Sequence, residues 1–100
     1  MGEYKVKTRM GLDRVPVKKS DVRLNQLKQG TVLFNPRTEE VHLLNPAALL
    51  VWECCTGVYT MNDIARMIGA VYGIDDLSSE VQAIIEQFSV KFMLEIVYRQ

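Results

Sequence analysis

The first side chains of this sequence to consider as a nucleophile, a general base or a metal ligand are one histidine and two adjacent cysteines. His42 lies in a short apolar run typical of a β-strand. Cys54 and Cys55 lie in the most apolar segment of the chain, where a buried thiol is unreactive. A zinc site would need His42 together with both cysteines, and their spacing does not match the usual zinc-ligand patterns. We therefore predict no catalytic residue, no metal and no cofactor, and expect that the protein is not an enzyme.

Two acidic pairs, Glu39-Glu40 and Asp75-Asp76, could also act as paired carboxylates. The first pair follows a turn signal, and the second precedes a helical pattern, where carboxylates interact favourably with the positive end of the helix dipole. The sequence has no glycine-rich phosphate-binding loop. These positions indicate structural roles for both pairs.

The chain has 100 residues, 48% of them hydrophobic, and a formal net charge of zero. This length predicts one small domain and is too short for a catalytic barrel or a doubly wound sheet. Residues 1–20 hold six basic and two acidic residues, a net charge of +4, and the other eighty hold six basic and ten acidic, a net charge of −4. We therefore predict a basic N-terminal arm, residues 1–20, followed by an acidic domain, residues 21–100.

The sequence contains no apolar run long enough for a membrane span and no segment typical of a signal peptide. Its two cysteines are neighbours and do not form the spaced pattern of a disulfide-rich secreted domain. These features predict a cytoplasmic location. The zero net charge gives no electrostatic reason to expect nucleic acid or an anionic membrane as partner.

The first half of the predicted domain has the pattern of β-strands. Residues 21–27 are a weak strand candidate, and residues 31–34 and 41–44 are short β-rich runs on either side of the turn signal Asn35-Pro36. Two such runs around a short turn predict an antiparallel hairpin, to which the earlier strand can add.

Three helices are predicted to follow. Asn45-Pro46 is an N-cap followed by a proline suited to the first helical turn, and it begins an apolar helix that runs to about Cys55. Thr60 begins a second helix that Gly73 ends. The third helix has a 3.6-residue apolar period. Its stripe comprises Leu77, Val81, Ile84, Ile85, Phe88 and Phe92.

This order of elements predicts an α+β fold, winged-helix-like, with an N-terminal three-stranded antiparallel sheet packed on three helices. Many winged-helix domains bind DNA through a recognition helix. The third helix and its start, however, carry Asp75, Asp76, Glu80 and Glu86 against the single Lys91. That charge would be repelled by phosphates, so DNA binding is the less favoured alternative and we expect no nucleic-acid partner.

The residues from Val32 to Glu53 carry a family resemblance, with Leu43-Leu44-Asn45-Pro46 and the apolar helix ending in Val51-Trp52-Glu53 as its most specific part. Together with the capped second helix and Tyr72-Gly73-Ile74-Asp75, this stretch resembles the PqqD-like family over roughly residues 21–97. The twenty-residue basic arm is longer than the resemblance leads us to expect, and the pair Cys54-Cys55 is not typical of that family.

The resemblance implies a recognition element for the leader of a ribosomally synthesised, post-translationally modified peptide. Such a domain binds the precursor's leader peptide as an added strand, against the third helix, and presents the precursor to a modifying enzyme: a radical SAM protein, a cyclodehydratase or a leader peptidase. The residues expected to bind the peptide are then those of the edge strand and of the helix stripe: Val41, His42, Leu43, Leu44, Val81, Ile84, Ile85 and Phe88.

For the helix residues the sequence leaves two roles open, lining the groove or filling the core. It also leaves open two other functions, a DNA-associated regulator and an assembly subunit that has no leader partner. An unpaired sheet edge favours self-association, so a homodimer is a further expectation. We expect no membrane partner.

Overall fold

The computed structural model describes residues 14–98, so most of the predicted basic arm lies outside the described residues. The elements follow the order β1 (Arg14–Lys18), β2 (Arg23–Leu27), β3 (Gly30–Asn35), β4 (Glu40–Leu44), α1 (Pro46–Cys54), α2 (Met61–Tyr72), α3 (Ser78–Val90) and β5 (Leu94–Tyr98). The predicted α+β class, the three-stranded sheet and the three helices are confirmed. None of the described helices is long and apolar enough to cross a membrane.

The three-stranded sheet is antiparallel, with the strand order β2-β3-β4. Leu33 pairs with His42 across the hairpin and Phe34 pairs with Val41. Side chains alternate between the two faces of a strand, so Leu33, His42 and Leu44 face the helices, whereas Phe34, Val41 and Leu43 lie on the outer face. The register of the hairpin therefore determines which alternate residues of β4 face the core.

A second, two-stranded sheet joins the two ends of the described chain. Strands β1 and β5 are antiparallel, with Val15 opposite Val97. The other side of β1 contacts the loop after α1, where Lys18 N donates to Cys55 O at 3.1 Å. Val15 is buried, so the end of the segment predicted as an arm takes part in the packed body.

Local signals begin and end the helices. Asn45 Oδ1 accepts from Ala48 N at 2.8 Å at the start of α1. Thr60 and Asp63 form a capping box at the start of α2, and Gly73 ends it with a left-handed φ of 70°. Asp76 Oδ1 accepts from Ser78 N at 3.0 Å at the start of α3, and this bond holds the pKa of the Asp76 carboxyl below its usual value.

The core lies between the inner face of the sheet and the three helices. Trp52 and Phe88 meet there edge to face, with ring centroids 5.4 Å apart. The other largest fully buried hydrophobic side chains of the core are Leu33, Val51, Cys55, Met61, Ile64, Val81, Ile85 and Met93.

The third helix ends earlier than its apolar period predicts. Met93 N donates to Phe88 O and Phe92 N donates to Ser89 O, which is the Schellman arrangement, and Phe92 holds the left-handed position with a φ of 59°. Phe92 is consequently 55% exposed, and its predicted place in the helix stripe is wrong. The sequence does not indicate this helix end, because phenylalanine occupies the left-handed position where glycine is the usual residue.

Candidate functional site

The open edge of β4 is the first part of the candidate site. Among the described residues, β4 pairs only with β3, so its other edge lacks a neighbouring strand. Residues of an antiparallel strand direct their N–H and C=O groups alternately to either side. Lys91 Nζ reaches Val41 O from the open side, at 3.1 Å, which indicates that Val41 and Leu43 direct their backbone groups away from β3. This edge can therefore accept a further strand.

The second part is a groove between β4 and α3. It encloses about 610 Å³ and is lined by His42, Ala83, Glu86, Gln87, Val90 and Lys91. The four residues from the helix recur at positions i, i+3, i+4 and i+7, so they form one stripe along α3 beside its buried stripe. The groove has an apolar end at Val90, which is 75% exposed, and carries charges of both signs. It can hold an extended peptide segment lying beside β4.

His42 connects the groove to the core. Its ring meets the edge of Phe88, with ring centroids 5.3 Å apart. Partial burial lowers the pKa of His42, and the positive charge of Lys91 lowers it further. The neutral imidazole is therefore the form that the folded protein favours.

This arrangement predicts a pH effect on the free energy of unfolding. Folding depresses the pKa of His42 below its usual 6.5, so the unfolded chain binds the proton more readily. The contribution of neutral His42 is present above pH 6.5 and is lost as the pH falls through the pKa of the folded protein. An NMR titration of this single histidine should give a midpoint below 6.5, and Lys91→Met should raise that midpoint.

Two controls accompany the titration. Lys28→Met removes an exposed charge from the β2–β3 turn and should leave the midpoint unchanged. The free energy of unfolding, measured by urea denaturation, should fall between pH 7.5 and pH 5 in the wild-type protein. It should fall less in His42→Gln. A wild-type midpoint at or above 6.5 contradicts the prediction.

Asn35 holds the hairpin against the end of α3. Its side chain is buried, with Nδ2 donating to Phe92 O at 2.7 Å and Oδ1 accepting from Arg37 N at 2.9 Å. These bonds fix the start of β4 relative to Lys91. A second cavity of about 670 Å³ lies on this side, lined by Lys18, Lys19, Ser20, Asp21, Asn35, Arg37, Thr38, Phe92 and Glu95.

The cysteines take no part in the groove. Cys55 is buried, its thiol donates to Val51 O at 3.2 Å, and burial raises its pKa to about 12. Burial also raises the pKa of the Cys54 thiol. Both thiols are therefore protonated at neutral pH, and neither is a good nucleophile.

The predicted site residues divide between the edge, the groove and the core. Val41 and Leu43 are 52% and 63% exposed, His42 lines the groove, and Leu44 is buried. On the helix, Val81, Ile85 and Phe88 are buried in the core and Ile84 packs partly buried against it. Of the two roles left open for these helix residues, the core role fits their burial.

The helix residues that line the groove are not among the site residues predicted from the sequence. Ala83, Glu86, Gln87 and Val90 have the i, i+3, i+4, i+7 spacing of a helix face, which is the signal that could have identified them. A mixed polar and apolar stripe is, however, also typical of a solvent-exposed face. Only the position of β4 beside α3 shows that this stripe lines a groove and is not simply a solvent-exposed face.

Comparisons with known proteins agree with this fold. A family model described as Coenzyme PQQ synthesis protein D (PqqD) matches residues 30–93. A solved structure described as "Lasso peptide synthetase B1 complexed with the leader peptide" has a TM-score of 0.68 and 20% sequence identity. That match covers 80% of this chain and 96% of the other. None of the curated proteins matches the sequence. Because the family model spans most of the sequence, from the second strand of the sheet to the end of the third helix, the chain belongs to the PqqD family.

Proposed function

We propose that this protein recognises the leader peptide of a ribosomally synthesised precursor, binds it as a fourth strand along β4, and presents the precursor to a modifying enzyme. The observation that carries the proposal is the open β4 edge running beside the groove of α3. Family membership supports it, as does the likeness to a lasso peptide synthetase B1 described as complexed with its leader peptide.

The physical basis is strand addition. An extended peptide satisfies the unpaired backbone groups of Val41 and Leu43 with its own N–H and C=O groups, which gives affinity with little demand on sequence. Alternate side chains of the peptide then face the groove, and the others join Val41 and Leu43 on the outer face of the sheet. Specificity comes from these side-chain contacts.

The domain binds peptide without performing catalysis, and its partner enzyme is a radical SAM protein, a cyclodehydratase or a leader peptidase. Binding takes place in the cytoplasm, with residues 21–100 forming the recognition domain and β1, at the end of the basic segment 1–20, packed against it. Without a leader, the open β4 edge favours a homodimer.

An NMR titration tests the proposal directly. The first step is a search for a short precursor gene beside this protein's gene, and the probe is a synthetic peptide comprising the N-terminal half of its product. We expect a Kd of about 10 µM or lower, with chemical-shift changes concentrated at the amides of residues 41–44 and 83–91. The same peptide in scrambled order is the control. Changes confined to the N-terminal arm, or equal changes with the scrambled peptide, would falsify the proposed binding site.

A further inference from the structure

We propose that Lys91 covers the free edge of β4 and, when a peptide displaces it, binds an acidic side chain of that peptide, while Glu86 binds a basic side chain two residues away. This inference rests on the proposed function, and it specifies the class of peptide that the groove accepts.

The first observation is the contact of Lys91 with the strand edge. Lys91 follows the last residue of α3, and its ammonium donates to Val41 O at 3.1 Å. Among the described residues, Lys91 makes no salt bridge with a carboxylate. The ammonium thus occupies an acceptor that an added strand needs. Lysine at a sheet edge is also a common protection against unwanted strand pairing.

When a peptide displaces Lys91, the ammonium group loses both its hydrogen bond to Val41 O and part of its hydration. A peptide N–H replaces the ammonium at Val41 O, and the peptide then covers the groove and removes water from around Lys91. A partly desolvated ammonium needs a new hydrogen-bond acceptor, and a carboxylate is the strongest that a peptide side chain supplies. The peptide position nearest Val41 on the groove side is therefore the position at which an aspartate or glutamate is favoured.

The second observation is that the groove is lined by two opposite charges, on Glu86 and Lys91. The two residues are five positions apart in the chain, which corresponds to roughly 7.5 Å of rise along a helix. Side chains on one face of an extended strand recur every ~6.6–6.8 Å. A peptide that places a carboxylate at Lys91 therefore places its next groove-facing side chain, two residues away, close to Glu86. A lysine or arginine is favoured there.

The direction of α3 relative to β4 determines the order of the basic and the acidic residue along the bound peptide. Lys91 contacts Val41, whereas Phe88, earlier in the helix, contacts His42, later in the strand. The two elements thus run in opposite directions, and Glu86 lies further toward the Leu44 end. A peptide paired antiparallel to β4 meets Glu86 first and Lys91 second. Its recognised segment then reads basic, any residue, acidic from its N-terminus to its C-terminus.

Selection from a peptide library tests the inference. The probe is a phage library of random 12-residue peptides, selected in parallel on the wild-type protein, Lys91→Glu, Glu86→Lys and the control Lys28→Glu. The wild-type protein and the control should enrich the basic-any-acidic pattern. Lys91→Glu should replace the acidic preference by a basic one, and Glu86→Lys should make the other position acidic.

An affinity measurement on one selected peptide completes the test. Replacing its acidic residue by the matching amide should weaken binding to the wild-type protein about 5- to 20-fold, a range between those of exposed and buried charge pairs. The same replacement should have little effect on binding to Lys91→Met. Equal losses on both proteins, or the same selected pattern on all four proteins, would overturn the inference while leaving the proposed function intact. Failure of all four to enrich any peptide contradicts the proposed function and the inference together.

Discussion

Replacing Leu43 with proline should weaken leader binding by roughly 10- to 100-fold while the domain remains folded. The N–H of Leu43 faces the open side of β4, so its removal costs no bond to β3. The proline ring also projects into the space that an added strand must occupy. Natural proteins tolerate proline in edge strands where its nitrogen faces the open side, because no hydrogen bond within the sheet is lost there. The measurement is isothermal titration calorimetry with the synthetic leader peptide.

Two comparisons separate a backbone effect from a side-chain effect. Leu43→Ala removes most of an exposed side chain but keeps the N–H, and it should weaken binding less than the proline variant. A leader peptide N-methylated at the residues that bond to β4 should lose affinity for the wild-type protein to a similar degree. Thermal unfolding followed by circular dichroism establishes that the proline variant is folded. Equal affinities of the proline and alanine variants, or unchanged binding of the N-methylated peptide, would show that the peptide lies in the groove without joining the sheet.

The second large effect is expected from Phe88→Ala, which should lower the free energy of unfolding by about 3–5 kcal/mol. The Phe88 side chain is fully buried and packs edge to face against both Trp52 and His42. Its loss leaves a cavity between the sheet and two helices. Since a domain of this size is stable by about 5–15 kcal/mol, the variant will be close to unfolding at 37 °C. Urea denaturation at 25 °C measures the change.

Phe92 provides a matched control for that experiment. It is the same residue type, four positions later, and the apolar period of the sequence assigns it to the same stripe. The structure instead leaves it on the surface beyond the helix end. Phe92→Ala should therefore change the free energy of unfolding by only about 0.5 kcal/mol. Phe88→Leu, which keeps most of the volume, should cost less than Phe88→Ala. Similar losses at positions 88 and 92 would contradict the observed end of α3.

Elements with strong local signals were predictable from the sequence. The hairpin follows from two β-rich runs around Asn35-Pro36, and the first two helices follow from their capping residues and from Gly73. In each case residues close together in sequence determine the structure, because a cap or a turn satisfies backbone groups only a few positions away.

The parts that depend on distant contacts were less predictable. Val71 continues the apolar spacing of Ile64 and Ile68 in α2, which predicts a buried position, yet Val71 is exposed. Val90 is likewise apolar and exposed, because β4 lies beside it without covering it. Apolar spacing shows which residues share a helix face. It does not show which other element covers that face, and this determines whether a residue belongs to the core or to the groove.

The pairing of β1 with β5 has a consequence for the synthesis of the chain. The two strands are separated by roughly 80 residues, so closing this loop carries a large entropy cost and no local contact favours it early. On the ribosome, β1 emerges long before its partner exists. Val15 then remains exposed until β5 is released, whereas the hairpin and the three helices can form earlier. We therefore expect this small sheet to form after the hairpin and the three helices, once β5 has been synthesised.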